Sequence, residues 1–186
     1  MEFNNDKFIA EEFIKLKNEW NVDTIVETGT FQGETTEWFA NNFNCTHSIE
    51  IETYNAVNLK ILEIKYLGKL YVHFGSSPTV LQSLVPNFTK RTMFFLDAHW
   101  GDFWPLLDEL SIIKNCKIKP IIAIHDFKCY NFGFDSYKGI NLDYNYVKNN
   151  IEDIYGDSGY IFYTNSPDKI TGCMRGVGYF IPKTKI

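Results

Sequence analysis

The run Val22-Asp23-Thr24-Ile25-Val26-Glu27-Thr28-Gly29-Thr30-Phe31-Gln32-Gly33-Glu34 decides how the rest of the chain is read. Val22 to Glu27 is short, apolar and rich in β-branched residues, so it reads as a buried strand. It stops at Thr28 to Gly33, where two glycines supply the backbone freedom of a tight turn, and Glu34 to Asn42 reads as a helix. Strand, glycine turn and helix form the opening unit of an open parallel sheet. In such a sheet ligands settle at the carboxyl ends of the strands, where helix N-termini point free N–H groups outward.

The same alternation continues in both directions. Upstream, Phe8, Ile9, Phe13, Ile14 and Leu16 recur at helical spacing from Asp6 to Trp20, with Asp6 as N-cap and Asn21 past the end. Downstream come a strand over His47–Glu52, a helix over Asn55–Tyr66 and a strand over Leu70–Phe74 that ends at Gly75-Ser76-Ser77-Pro78. Thr92–Leu96 and Pro120–Ile124 are uninterrupted apolar strands, with a helix over Pro105–Ile113 between them. The final candidates, Tyr160–Thr164 and Val177–Ile181, have only a segment containing Asn165-Ser166-Pro167-Asp168 between them and read as an antiparallel edge hairpin. Lys128–Tyr146 is too long and irregular for an ordinary connection. It carries Tyr130, Phe132, Phe134 and Tyr137, which makes it a candidate lid. The expected fold is a three-layer α/β/α sandwich, one Rossmann-like domain over 1–186, with a mostly parallel seven-stranded sheet and a C-terminal antiparallel edge hairpin.

Composition narrows the function. The 186 residues are 45% hydrophobic, 17% aromatic and 22% charged, as a packed globular domain requires, and the aromatic share leaves some rings for a pocket. Eighteen Lys+Arg against 23 Asp+Glu give a formal charge of -5, which argues against nucleic-acid binding. Cys45, Cys116, Cys129 and Cys173 follow no ligand or disulfide spacing and read as free thiols in a reducing compartment. No signal-peptide pattern and no apolar run of membrane-spanning length is visible, so a cytoplasmic protein without membrane contact is expected.

The unusual polar residues fall at predicted strand ends: Glu27, Glu50, Ser76, Asp97 and the pair His125-Asp126. Five loops would then meet at one crevice, the main reason to expect a site there. The stretch Val26 to Gly33, an acidic residue followed by Gly-x-x-x-Gly, resembles the first motif of class I S-adenosylmethionine-dependent methyltransferases. The resemblance implies that Glu27, Thr28, Gly29, Thr30, Phe31, Gly33 and Thr35 shape the cofactor loop, and that Glu50 accepts hydrogen bonds from the ribose. By the same resemblance Ser76 or Ser77 flanks the adenine and Asp97 orients the sulfonium end. A Rossmann dinucleotide site is the nearest rival, disfavoured because the loop lacks Gly-x-Gly-x-x-Gly.

Asp97-Ala98-His99 and His125-Asp126 resemble the strand ends of catechol-type and macrocin-type O-methyltransferases, where carboxylates hold magnesium. The resemblance makes Asp97 and Asp126 candidate metal ligands. Phe127 stands where an Asn ligand is expected, however, and this departure weakens the metal site. The metal-free route is preferred, with His99 or His125 taking the proton of a hydroxyl acceptor; in a blander reading His99 only caps a helix. His47 and His73 lie inside strands and read as structural. Trp100, Phe103 and Trp104 are equally placed for the core or for an acceptor pocket. The expected activity is methyl transfer to an oxygen of a small molecule. Two alternatives stay open: other chemistry on the same scaffold, metal-dependent hydroxylase-like or lyase, a pattern that cephalosporin-hydroxylase-like proteins share; or a nucleoside-binding module without turnover.

Overall fold

The computed structural model describes residues 3, 6–99, 103–166 and 175–185. Trp100, Cys173 and the Pro167-Asp168 turn, each singled out in the sequence, lie outside the described residues. Helix α1 (Lys7–Trp20) begins at Asp6, whose carboxylate accepts from the Phe8 N–H at 3.0 Å, and ends at Asn21 in the left-handed conformation. There follow β1 (Thr24–Thr28), α2 (Glu34–Asn42), β2 (Cys45–Glu50), α3 (Ala56–Lys65), β3 (Leu70–Phe74) and α4 (Ser77–Leu84). The chain continues through β4 (Thr92–Leu96), α5 (Leu106–Ile113) and β5 (Ile121–His125). A two-residue-per-strand hairpin, β6 (Ser136–Tyr137) and β7 (Ile140–Asn141), precedes α6 (Tyr144–Tyr155), β8 (Tyr160–Thr164) and β9 (Val177–Pro182).

The main sheet has seven strands in the order β3-β2-β1-β4-β5-β9-β8, parallel except for β9, which runs antiparallel to both β5 and β8. This is the expected Rossmann-like α/β arrangement with its terminal hairpin. The central strands β1, β4 and β5 are buried along their whole length because both faces are covered. Alternate residues of β4 serve opposite layers. Met93 and Phe95 join Phe13 and Phe39 under α1 and α2, while Phe94 and Leu96 join Leu81, Leu110 and Ile151 under α4, α5 and α6.

Two helices were not legible from the sequence. The strand reading of Leu70–Phe74 closes on Gly75 to Pro78, yet Pro78 sits in the first turn of α4, where its fixed φ and missing N–H are tolerated. Helix α6 takes over the end of the candidate lid: Asp143 caps it by accepting from the Tyr146 N–H at 3.2 Å, and Val147, Ile151 and Ile154 form its buried stripe. β2 starts and ends two residues earlier than expected, because after Glu50 the chain turns so that the Glu50 carboxylate accepts the Glu52 N–H at 2.8 Å.

His47 and His73 hydrogen-bond each other, Nδ1 to Nε2 at 2.9 Å, across β2 and β3. Burial pushes His47 down to about 4, so the pair is uncharged at neutral pH, as a structural role requires. Cys45, Cys116 and Cys129 are free thiols. No helix among the described residues is long and apolar enough to cross a membrane.

Candidate functional site

At the carboxyl ends of the parallel strands a cleft of about 590 Å³ opens, and Gly29, Phe31, Glu50, Ser77, Asp97, His99, His125, Asp126 and Arg175 all line it. Gly29 lies at φ +83°, and a Cβ there would stand 2.7 Å from the Asp97 carbonyl oxygen. The first and fourth strand-end loops can approach this closely only with glycine. Glu50, 7% exposed, accepts from the Phe31 N–H at 2.7 Å through Oε2 and from the Glu52 N–H at 2.8 Å through Oε1. The carboxylate is therefore fixed in place while its remaining lone pairs face the cleft.

A recess of about 150 Å³ lies beyond the glycine loop, lined by Glu27, Thr30, Gly33 and Thr35 among others. It shares Gly29, Phe31, Asp97 and His125 with the cleft, so the two spaces lie side by side. Glu27 is 1% exposed and accepts from Ser48 Oγ at 2.6 Å and from Thr36 Oγ1; Ser48 Oγ in turn lies 2.6 Å from Thr30 Oγ1. Burial pushes Glu27 up to about 8, so it holds a proton at neutral pH. Thr36, on the inward side of α2, is the Glu27 partner that sequence reasoning missed; Thr35 instead accepts the Phe3 N–H at 3.3 Å.

Thr28 and Ser76 line neither space. Thr28 is fully buried between the layers, and Ser76 precedes α4 while Ser77 reaches the cleft wall. Ser77 Oγ also donates to Glu109, a wholly buried carboxyl that burial pushes up to about 7.

The polar end of the cleft is a charge cluster built on β4, β5 and β9. Asp97 follows β4, His125 closes β5, and Asp126 comes next at φ +54°, a left-handed position that Asp tolerates better than most residues. His125 Nδ1 lies 2.8 Å from Asp97 Oδ1 and 3.3 Å from Asp126 Oδ1. Burial alone would lower this imidazole, but the two carboxylates outweigh it and push it up to about 9. His125 is thus a buried cation at neutral pH. His99 is 48% exposed, with Nε2 3.6 Å from Asp126 Oδ2 and 3.4 Å from Asp135 Oδ2. Asp126 beside it raises its basicity against the opposing effect of partial burial.

Arg175 and Asp135 complete the cluster, and sequence reasoning found neither. Arg175 donates through Nε to Asp126 Oδ1 and through Nη2 to Asp135 Oδ1 at 2.5 Å. Burial would raise Asp126, but His99, Arg175 and His125 around it hold it well below the usual carboxylate range. Because β9 runs antiparallel, the residues that enter it lie at the same end of the sheet as the exits of β4 and β5. A basic residue just before the last strand was the available signal. Asp135 comes from the candidate lid, which is fastened there: its N–H donates to the Asp126 carbonyl and the Leu142 N–H donates to its own carbonyl, each at 3.0 Å. Phe132 is buried as well, while Tyr130 remains 64% exposed. Trp104 packs against the core and stacks on Tyr137 of the β6–β7 hairpin with ring centres 5.5 Å apart.

Asp97, His99 and Asp126 can offer ligand atoms within 4.8 Å of one another. The set does not suit magnesium. That ion wants an octahedron of oxygens, whereas here one donor is an imidazole. Asp126 Oδ1 is held by a guanidinium and Asp97 Oδ1 by an imidazolium. The two carboxylates expected as candidate magnesium ligands, Asp97 and Asp126, are brought together, and each also bonds a protein cation, Asp97 to His125 and Asp126 to Arg175.

No protein-family model matches the chain, and no curated protein matches it in sequence. Solved structures do match. The O-methyltransferase TomG of Streptomyces achromogenes, solved in complex with SAM, superimposes with TM-score 0.65 at 15% identity over 94% of this chain and 79% of that one. An O-methyltransferase from Bacillus cereus in complex with SAH gives 0.64 at 14% identity, over 94% and 81% of the two chains. A precorrin 8w decarboxylase of Methanobacterium thermoautotrophicum gives 0.54 at 13% identity over 93% and 90%. The chain has the Rossmann-like fold of class I methyltransferases, a scaffold whose chemistry is set by its site.

Proposed function

We propose that this protein is an S-adenosylmethionine-dependent methyltransferase acting on an oxygen of a small molecule, without a magnesium ion. The observation that carries the reading is the meeting of Glu50, the Gly29 loop and Asp97 on one cleft of about 590 Å³, enough for a nucleoside with an amino-acid tail. In this reading Glu50 takes the ribose hydroxyls, Gly29 leaves room at the backbone and Ser77 lies along the base. Glu27 and the recess beside α2 take the charged amino-acid end. The cofactor supplies a methyl group made electrophilic by its sulfonium.

The remaining work falls to the polar cluster: hold the acceptor in line and remove its proton. His125 is cationic and committed to Asp97 and Asp126, so it is the fixed counter-charge of the site and not its base. His99 is the base. It faces the cleft, is half exposed, and is flanked by Asp126 and Asp135, which stabilise the imidazolium that forms.

Calorimetric titration tests the reading. S-adenosylmethionine and S-adenosylhomocysteine are expected to bind and NAD is not. Glu50→Gln is expected to weaken binding about 30–150-fold, since hydrogen bonds to a charged acceptor are worth about 2–3 kcal/mol. Tighter binding of NAD, or a Glu50→Gln protein with unchanged affinity for S-adenosylmethionine, would remove the basis of the assignment.

A further inference from the structure

Helix α3 is apolar on two opposite faces. Its inner face needs no further partner: Leu59 is fully buried against Ala40, Leu70 and Val72, and Leu62 and Tyr66 pack beside it. The outer face carries Val57, Ile61 and Ile64 at 72%, 61% and 72% exposure, one stripe at i, i+4 and i+7, and Leu67 just past the helix end is 84% exposed. These four side chains leave on the order of 500 Å² of apolar surface, toward the upper end for the largest patch on an ordinary monomer. Doubled across a two-fold axis it reaches about 1,000 Å², the least that a specific protein interface buries.

The charges around the stripe favour a like partner. Lys60 pairs with Glu63 at 2.7 Å and Lys65 with Glu37 at 2.5 Å, so the rim is neutralised within each chain and two copies meet without repulsion. An anionic membrane would want those lysines free. Extension of the sheet is also blocked locally. β3 is an edge strand, and α3 caps it at Val72, whose N–H donates to Glu63 Oε1 at 2.7 Å and whose carbonyl accepts from Lys60 Nζ at 3.3 Å.

The geometry points to the outer face of α3 as a self-association surface, on which a second copy of this chain docks its own α3 antiparallel across a two-fold axis. Val57 then lies opposite Ile64 of the partner subunit, and Ile61 sits on the axis. This interface is separate from the polar cluster and does not rest on the chemistry proposed above.

The test is sedimentation velocity of the full chain from 1 to 200 µM, together with Ile61→Asp combined with Ile64→Asp. Both substituted positions are exposed, so the circular dichroism spectrum should not change. The parent is expected to sediment as a dimer, and the double variant as a monomer with its dimer dissociation constant raised at least 100-fold. A monomeric parent at 200 µM overturns the proposal, whether or not it pelleted with vesicles of phosphatidylcholine and phosphatidylserine. So does a double variant that remains dimeric with unchanged dissociation constant.

Discussion

Replacing Arg175 by glutamine asks whether a guanidinium really occupies the ground where a metal would otherwise sit. The side chain bonds Asp126, which is 8% exposed, and Asp135, which is 25% exposed, while Arg175 itself is 30% exposed. Breaking a fully buried pair costs about 3–5 kcal/mol, and an exposed pair about 0–1. Arg175 lies between these limits, and His125 still compensates Asp126 in the variant, so about 2 kcal/mol is the reasonable expectation. For a domain of this size that lowers the melting temperature by about 4–8 °C. The variant also gains something. Asp97, His99, Asp126 and Asp135 are left with surplus negative charge and mixed oxygen and nitrogen donors, a set that manganese accepts. A divalent ion at about 100 times its dissociation constant contributes about 2.7 kcal/mol, enough to restore the loss. Thermal denaturation with and without manganese chloride should show recovery for Arg175→Gln and little change for the parent. Adding Asp126→Asn to the variant should abolish the recovery. A parent that manganese or magnesium stabilises as strongly as the variant would refute the competition between ion and guanidinium.

Two further expectations follow from the buried groups and the glycine loop. Folding holds protons on Glu27, pushed up to about 8, and on Glu109, pushed up to about 7, that the unfolded chain releases near 4.5; stability therefore falls as pH rises from about 5 to 8. His125 acts in the same direction: its contribution is complete below 6.5 and is lost as pH rises through about 9. Below about 6.5 the lowered His47 and His73 act the opposite way, so the melting temperature of the ligand-free protein should decline from about pH 7 to 9, with a shallower slope in Glu27→Gln, and a rise over that range would contradict the burial of Glu27 and His125. Gly29→Ala should lower stability by about 1–3 kcal/mol, because it forces a side chain into a left-handed position and against the Asp97 carbonyl. It should also abolish S-adenosylmethionine binding in the same titration, and a variant that melts and binds like the parent would show that the loop has room to spare.

What the sequence revealed and what it hid divide along a physical line. β1, β4 and β5 were legible because burial on both faces makes a strand a nearly continuous apolar run, and α2 because a glycine turn and a helix start are local signals. α6 was equally marked, by Asp143 before it and Gly156 after it, but its first turn was absorbed into an irregular segment already assigned as one loop. The site behaves differently. Glu50, Asp97, His99, His125 and Asp126 were found because each lies at or just past the end of a parallel strand, and parallel strands deliver their exits to one edge. Arg175 and Asp135 were missed because neither sits at such an exit: one enters an antiparallel strand, the other belongs to the segment fastened beneath it.

That difference changes the chemistry. With strand exits alone, Asp97 and Asp126 look like two unmet carboxylates, and a dication is the natural way to balance them. Once the antiparallel strand brings Arg175 against Asp126, and the two carboxylates have made His125 a cation, the same pair is balanced by protein charge. His99 is then the exposed imidazole at the cleft, facing Asp126 Oδ2 and Asp135 Oδ2. In the proposed reaction, taking a proton from a hydroxyl would convert it to an imidazolium between two acids that stabilise the charge.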